Sequence, residues 1–270
     1  MTDINEIKQR DRWACRYCGK KFEVDVHQFA NPDVTDNYIT LCSSCWRKIM
    51  STLPEEERSL CRKLLRKNKV IFIGDCHGKF EALDNVLTSE EPFDFFLSVG
   101  DVGTLDDVTP QNITIIDRWK EKGFFVRGNH DRVKFFNDIT LHQEINGLQI
   151  AGLNGVIKSK RFASITKFVS FNEILYLSHL KNIDILVTHQ PPIGIINGKG
   201  EQILRELLNY LVPKIHIFGH THEFKLKYIL QTFCISLPII DKGYAVAYFQ
   251  GNDLRNLEII FKKDKKFIRV

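Results

Sequence analysis

The residues best suited to chemistry sit at the ends of apolar runs. In Phe218-Gly219-His220-Thr221-His222 two histidines flank a threonine, directly after the run Ile215-His216-Ile217-Phe218. A strand that ends in such a turn can present both imidazoles to one pocket. Four other polar clusters share this context. Residues 70–73 run into Gly74-Asp75-Cys76-His77-Gly78, and residues 93–98 into Val99-Gly100-Asp101. Residues 124–126 run into Arg127-Gly128-Asn129-His130-Asp131, and residues 183–187 into Thr188-His189-Gln190-Pro191-Pro192. Carboxylate, imidazole and amide oxygen together suit Mn, Fe, Zn or similar ions, and the absence of cysteine ligands argues against a structural zinc site in this set.

The elements that must position these groups alternate short strands with helical patterns, the signature of an α/β or layered mixed fold. Phe80, Leu83 and Leu87 mark one helix face, and Ile116 and Trp119 mark another over residues 111–122. Residues 149–153 read as a further strand. Ser170-Phe-Asn-Glu173 is a capping box opening a helix that runs to Leu180. Ile203, Leu204, Leu207, Leu208 and Leu211 make an amphipathic helix. After His222 only strand-like runs follow, at 232–236, 244–249 and 257–261.

A different chemistry opens the chain. Seven cysteines are present, and four of them form the pairs Cys15-Arg-Tyr-Cys18 and Cys42-Ser-Ser-Cys45, separated by 23 residues. Four thiolates at this spacing suit a closed tetrahedral zinc site, which supplies folding energy that so short a segment lacks. The odd count and the paired spacing favour metal in a reducing compartment over a disulfide framework. Arg10, Arg12, Arg16, Lys20, Lys21, Arg47 and Lys48 surround the pairs; they either contact phosphates or form a solvated surface. Pro54, Glu55 to Glu57, and Arg66 with Lys67 read as the start and end of one helix joining this module to the rest. The boundaries expected are a zinc module at 1–52, a linking helix at 53–68 and a large domain at 69–270.

At 270 residues, with 43% hydrophobic and 26% charged residues, the composition excludes disordered and membrane-spanning classes. The net charge of +5 allows anionic partners without demanding them. Residues 1–10 show no apolar core like that of a signal peptide, and no apolar run approaches the ~20 residues of a membrane span, so a cytoplasmic protein without membrane partners is expected.

Taken in order, Asp-x-His, Gly-Asp, Gly-Asn-His-Asp, a lone His and Gly-His-x-His resemble the motif set of the calcineurin-like metallophosphoesterases, over about residues 69–250. The resemblance implies an α/β (α+β) four-layer αββα sandwich with a two-metal site at the strand C-termini. It implies that Asp75, His77 and His222 hold the first metal, that Asn129, His189 and His220 hold the second, and that Asp101 bridges them. A metal-bridging hydroxide is then the nucleophile. The resemblance also implies that His130, not itself a ligand, faces the phosphate and either protonates the leaving oxygen or stabilises its charge. Asp131, the other catalytic candidate, either orients His130 or caps local backbone. Cys76 is expected in the core, and His142, His179 and His216 at the surface or in the core. Lys158, Lys160 and Arg161 either reach a substrate phosphate or form a solvated loop.

The segment around residues 10–50 resembles the HNH endonucleases in their four-cysteine, treble-clef form, through Cys15, Cys18, His27, Asn37, Cys42 and Cys45. In that family His27 would be the general base. Val26 and Trp46, however, stand where the catalytic metal is usually held, so a zinc fold without nuclease chemistry is expected.

Gly100-Asp101-Val102-Gly103-Thr104 lacks the Asp-Arg pair of the Ser/Thr protein phosphatases, and Asp131 replaces their Glu. The expectation is therefore a phosphodiesterase acting on nucleic acid or nucleotides, with DNA or RNA as partner. A phosphomonoesterase on a small molecule or phosphoprotein is the first alternative. A non-catalytic zinc-dependent nucleic-acid-binding protein is the second.

Overall fold

The computed structural model describes residues 14, 24–28, 38–52, 54–55, 67–157, 168–261 and 265–268. The chain divides into two compact units, residues 1–67 with 250–252 and residues 68–249 with 253–270.

In the smaller unit, β1 (Val24–Gln28) pairs antiparallel with β2 (Tyr38–Cys42), and α1 (Ser43–Thr52) follows without a break. His27 lies on β1 opposite Ile39. Cys42 ends β2, and Cys45 is buried in the first turn of α1. Cys15, Cys18, Asn37, Arg10, Arg12, Arg16, Lys20 and Lys21, and most of the expected linking helix, lie outside the described residues.

The larger unit holds two sheets. One carries β3 (Lys67–Ile73), β4 (Phe95–Ser98), β5 (Gly123–Phe125), β6 (Asn137–Asp138), β13 (Gly243–Gln250), β14 (Asp253–Phe261) and β15 (Lys265–Ile268), in the order β15-β14-β13-β3-β4-β5-β6. The other carries β7 (His142–Ile145), β8 (Leu148–Leu153), β9 (Ile185–Thr188), β10 (Ile215–Phe218), β11 (Lys225–Ile229) and β12 (Thr232–Ser236), in the order β11-β12-β10-β9-β8-β7. The strands β3-β4-β5-β6 run parallel, as do β8-β9-β10-β12, while β7 and β11 add antiparallel edges.

Strand alternation decides the layers, because successive side chains point to opposite faces. Val70 and Phe72 of β3 join Ile185, Val187, Ile215 and Ile217 in the core between the sheets. Ile71 and Ile73 face the other way, against Phe80, Leu83 and Leu87 of α2 (Phe80–Ser89) and Ile115 and Trp119 of α3 (Pro110–Trp119). Leu186 and Cys234 face α4 (Phe171–Ser178) and α5 (Gln202–Leu211) on the far side. The result is helix, sheet, sheet, helix.

Local signals hold with small shifts. Ser170 and Glu173 form both bonds of the capping box that opens α4. In α3, Pro110 follows the N-cap Thr109, and the resulting register buries Ile115 with Trp119, leaving Ile116 only partly covered. Cys76 is fully buried in the core under α2, whereas His142 and His179 are exposed.

Candidate metal centre

Parallel strands in register deliver their C-terminal loops to one place. Ile73 pairs with Ser98 and Ser98 with Phe125, so the loops after β3, β4 and β5 emerge side by side. In the second sheet, Val187 of β9 pairs with Ile217 of β10. Backbone bonds then lace the loops together. Cys76 and His77 donate their N–H groups to the Asp101 carbonyl at 3.0 and 2.8 Å, and Gly78 donates to the Val102 carbonyl at 2.8 Å.

Three groups of side chains converge, with ligand atoms within 4.8 Å of one another in each: Asp75, His77 and His222; His77, Asp101 and His130; Asp101, His189 and His220. In the first, His222 Nε2 lies 2.9 Å from Asp75 Oδ2 and 3.0 Å from His77 Nε2. In the last, His189 Nε2 lies 3.1 Å from His220 Nδ1, 3.0 Å from Asn129 Oδ1 and 3.4 Å from Asp101 Oδ2. His130 keeps its Nε2 4.0 Å from Asp101 Oδ2, its ring edge-on to His77 at 5.3 Å, and its side chain 55% exposed. The structure therefore brings together Asp75, His77, Asp101, Asn129, His189, His220 and His222, with His130 at their open side. Lys158, Lys160 and Arg161 lie outside the described residues.

The donor set fits divalent cations. Imidazole nitrogens face one another in pairs 3.0 and 3.1 Å apart, and each pair is flanked by a buried carboxylate. His189 Nδ1 donates to the Val99 carbonyl at 2.9 Å, which orients the ring and turns Nε2 toward His220, Asn129 and Asp101.

The backbone is bent to achieve this. His77, Asp101, His220 and His222 have φ of 46°, 49°, 66° and 56°, a left-handed region that costs a non-glycine residue about 1–2 kcal/mol. Glycine clears the space where backbone meets carboxylate. A Cβ on Gly128 would meet Asp101 Oδ1 at 2.1 Å, and one on Gly219 would meet Asp75 Oδ1 at 2.2 Å.

Asp131 is 1% exposed. Its Oδ2 accepts the N–H groups of Asp101 and Gly128, both at 2.7 Å, and its Oδ1 those of Val102 and Gly103 at 2.8 and 3.2 Å. The carboxylate thus ties the loop after β4 to the loop after β5. His130 N–H donates to Asp101 Oδ1 at 2.8 Å, and His220 N–H lies 3.2 Å from both Asp75 oxygens.

Charge coupling is strong in the metal-free chain. Burial opposes ionisation of Asp101, but His189 and the His130 N–H overcome it and hold the carboxyl well below its usual range. Burial likewise pulls His189 down, yet Asp101 and Asp75 raise it to about 9. The hydrogen bond to Asp75 raises His222, whereas burial lowers His77 and lowers His220 to about 4. Burial pushes Asp131 up to about 6, against the pull of its N–H donors.

Sequence reasoning missed a layer beneath these groups. Thr188, Gln190 and His216 are buried, and the Thr188 hydroxyl bonds both the Gln190 carbonyl and His216 Nε2 beside His189. The available signal was three polar residues in positions where a sheet core is otherwise apolar.

Two packed sheets flanked by helices, with acid, amide and imidazole groups gathered where parallel strands end, define a metallophosphoesterase-type sandwich. The chain belongs to the calcineurin-like phosphoesterase family, whose model matches residues 68–224; the family comprises phosphoester hydrolases. It is similar to the human protein named Metallophosphoesterase domain-containing protein 1, being 39% identical over 51 residues, which is 16% of this chain and 16% of that protein. The mouse protein of that name matches equally. Among solved structures, TT1561 of Thermus thermophilus superposes with a TM-score of 0.56 at 13% identity, covering 76% of this chain and 100% of that one. A structure from Danio rerio, named a dimetal phosphatase, superposes with a TM-score of 0.53 at 11% identity, covering 75% and 98%. At such identities these likenesses concern the fold. No helix among the described residues is long and apolar enough to cross a membrane.

Proposed function

We propose that the chain is a phosphodiesterase that takes two divalent cations and acts on nucleic acid or nucleotides. The supporting observation is that Asp101 converges with His77 in one group and with His189 and His220 in another, so one carboxylate can reach ligands of both cations. In this reading Asp75, His77 and His222 hold one cation, Asn129, His189 and His220 hold the other, and Asp101 is shared. When bound, ions such as Mn, Fe or Zn would supply Lewis acidity to phosphoryl oxygens and lower the pKa of a coordinated water.

The remaining work falls to the chain's own groups. His130 is held through its backbone by Asp101, while its ring stays exposed at the open side. From there its Nε2 can give a proton to the departing oxygen. Asp131, buried and committed to backbone N–H groups, acts as a positioning residue for Asp101 and not as an acid or base.

Cys15, Cys18, Cys42 and Cys45 are proposed to bind one structural zinc in an HNH-like module. Exposed Arg47 and Lys48 on α1 give that module cations for a polynucleotide backbone. The protein is proposed to work in the cytoplasm. A second reading, phosphomonoesterase activity, is kept because one fold neighbour is named a dimetal phosphatase.

A Mn-reconstituted screen across a bis-aryl phosphodiester, an aryl phosphomonoester, cyclic nucleotides, and single- and double-stranded DNA and RNA tests the proposal. Diesters should turn over fastest, and Asp101→Ala should lose both turnover and metal. His130→Ala should keep its metal and lose about 10²–10⁴-fold in rate, less for nitrophenolate than for alkoxide leaving groups. Faster monoester turnover would favour the second reading. Tight nucleic-acid binding with no turnover of any ester would leave only a binding protein.

A further inference from the structure

His189 is fully buried, and two features aim its ring: the bond from Nδ1 to Val99 and the path of its own backbone. That path is fixed on both sides. The His189 carbonyl accepts the Gly219 N–H at 3.0 Å. The Thr188 hydroxyl reaches over the histidine to the Gln190 carbonyl at 2.7 Å, closing a tight turn around it. A hydroxyl has one proton, and here it is given to Gln190. The contact of 2.9 Å between Thr188 Oγ1 and His216 Nε2 must therefore be donated by the imidazole. This fixes His216 as the Nε2–H tautomer, and its Nδ1 is buried without a hydrogen-bond partner.

The Gln190 side chain continues the chain of bonds. Its Oε1 accepts the Ile157 N–H at 2.6 Å, and its Nε2 donates to Glu201 at 2.9 Å. The stretch before Ile157 is pinned in turn to β5's end, where Asn154 Oδ1 accepts the Arg127 N–H at 2.8 Å. One line of bonds thus runs from buried His216 through Thr188 and Gln190 to the loops that flank Asn129 and His189.

We propose that His216, Thr188 and Gln190 are positioning residues for the Asn129–His189–His220 half of the centre, fixing the backbone that aims His189 at its cation. The inference rests on His189 being a ligand. It gives His216, which touches neither cation nor substrate, a role in metal affinity: outer partners of this kind change affinity by about 10–100-fold.

The test is titration of the metal-free full chain with Mn(II), which imidazole and carboxylate sites accept and a thiolate zinc site does not favour, with the two binding events resolved by calorimetry and paramagnetic resonance. A His77→Ala chain, which removes a ligand group of the other half only, identifies the event that belongs to the His189 half. His216→Leu should weaken that event by about 10-fold or more and leave the other unchanged. His216→Gln, which restores a donor, should bind as the parent does. Thr188→Val and Thr188→Ser give a second pair with the same contrast should one leucine or valine chain not fold. Parental Mn(II) affinity in His216→Leu or Thr188→Val would overturn the proposal and leave the functional reading intact. A parent chain that binds fewer than two Mn(II) would instead refute that reading.

Discussion

Replacing Asp131 with asparagine changes one atom and should be among the most damaging substitutions in the larger unit. Each Asp131 oxygen accepts two backbone N–H groups: Oδ2 those of Asp101 and Gly128, Oδ1 those of Val102 and Gly103. An amide keeps one acceptor and turns the other into a donor. Two N–H groups then lose their acceptor and face an NH₂ group instead, at a position that is 1% exposed. A buried polar group left unsatisfied costs about 1–3 kcal/mol, so Asp131→Asn should destabilise the unit by about 2–6 kcal/mol. Urea denaturation of metal-free protein, read through Trp119 with Trp13 and Trp46 replaced by Phe, measures this. Activity should fall as well, because the Asp101 loop is held from here, but the residual pH–rate profile should keep its shape. A loss of stability under about 0.5 kcal/mol, the range of an ordinary surface change, would refute the clamp. A profile that lost one limb would mean that Asp131 exchanges protons after all.

Val212 is the C-cap of α5 at φ 43° and ψ 57°, a left-handed conformation that disfavours a β-branched side chain. Val212→Gly should raise the urea midpoint, by an equivalent of about 1 kcal/mol. His216 has its folded-state pKa lowered by burial from 6.5 to about 3. An unfolded chain therefore takes up a proton that the folded one refuses. The contribution of His216 to stability is complete above its unfolded pKa and is lost as the pH falls toward the folded value, at about 1.4 kcal/mol per pH unit; His216→Leu should flatten that part of the stability–pH curve. In the smaller unit, Cys42→Ser with Cys45→Ser should unfold the proposed zinc module, whereas His27→Ala should leave any nuclease activity within a few-fold. Metal-dependent DNA cleavage that vanished on His27→Ala would make the module a second active centre.

The fold was legible where burial is one-sided. Phe80, Leu83 and Leu87 repeat at helical spacing because one face of α2 meets the sheet, and all three are buried. Residues 232–236 form a strand buried at every position. Edges were harder to read. β11 is Lys-Leu-Lys-Tyr-Ile with Lys225, Lys227 and Tyr228 exposed, so its sequence carries little of the apolar signal that marks a central strand. The antiparallel edge β7 is similarly polar, reading His-Gln-Glu-Ile. The shift from Ile116 to Ile115 in α3 follows from where the helix starts. Once Thr109 caps it, residues four apart face the core, and the pair is 115 with 119.

The candidate site shows a different limit. Its side chains could be read because each chemical type follows a strand and the strands are parallel. The backbone that holds them could not. Sequence alone left Asp131 two roles, orienting its neighbour or capping backbone, because both need the same carboxylate at the same place. What separates them is the approach of residues 101–103, about 30 positions away in the chain, whose N–H groups point at both oxygens. The same holds for His77, Asp101, His220 and His222. Nothing in an Asp or His marks a left-handed backbone, yet all four adopt one. The cost is carried because carbonyls and carboxylates of neighbouring loops meet the N–H groups that such turns expose: His77 bonds Asp101, and His220 bonds Asp75. The centre is thus held by bonds between loops more than by any one loop. That explains why changes at Asp131 or His216, neither of which belongs to the converging ligand groups, are expected to act on the centre.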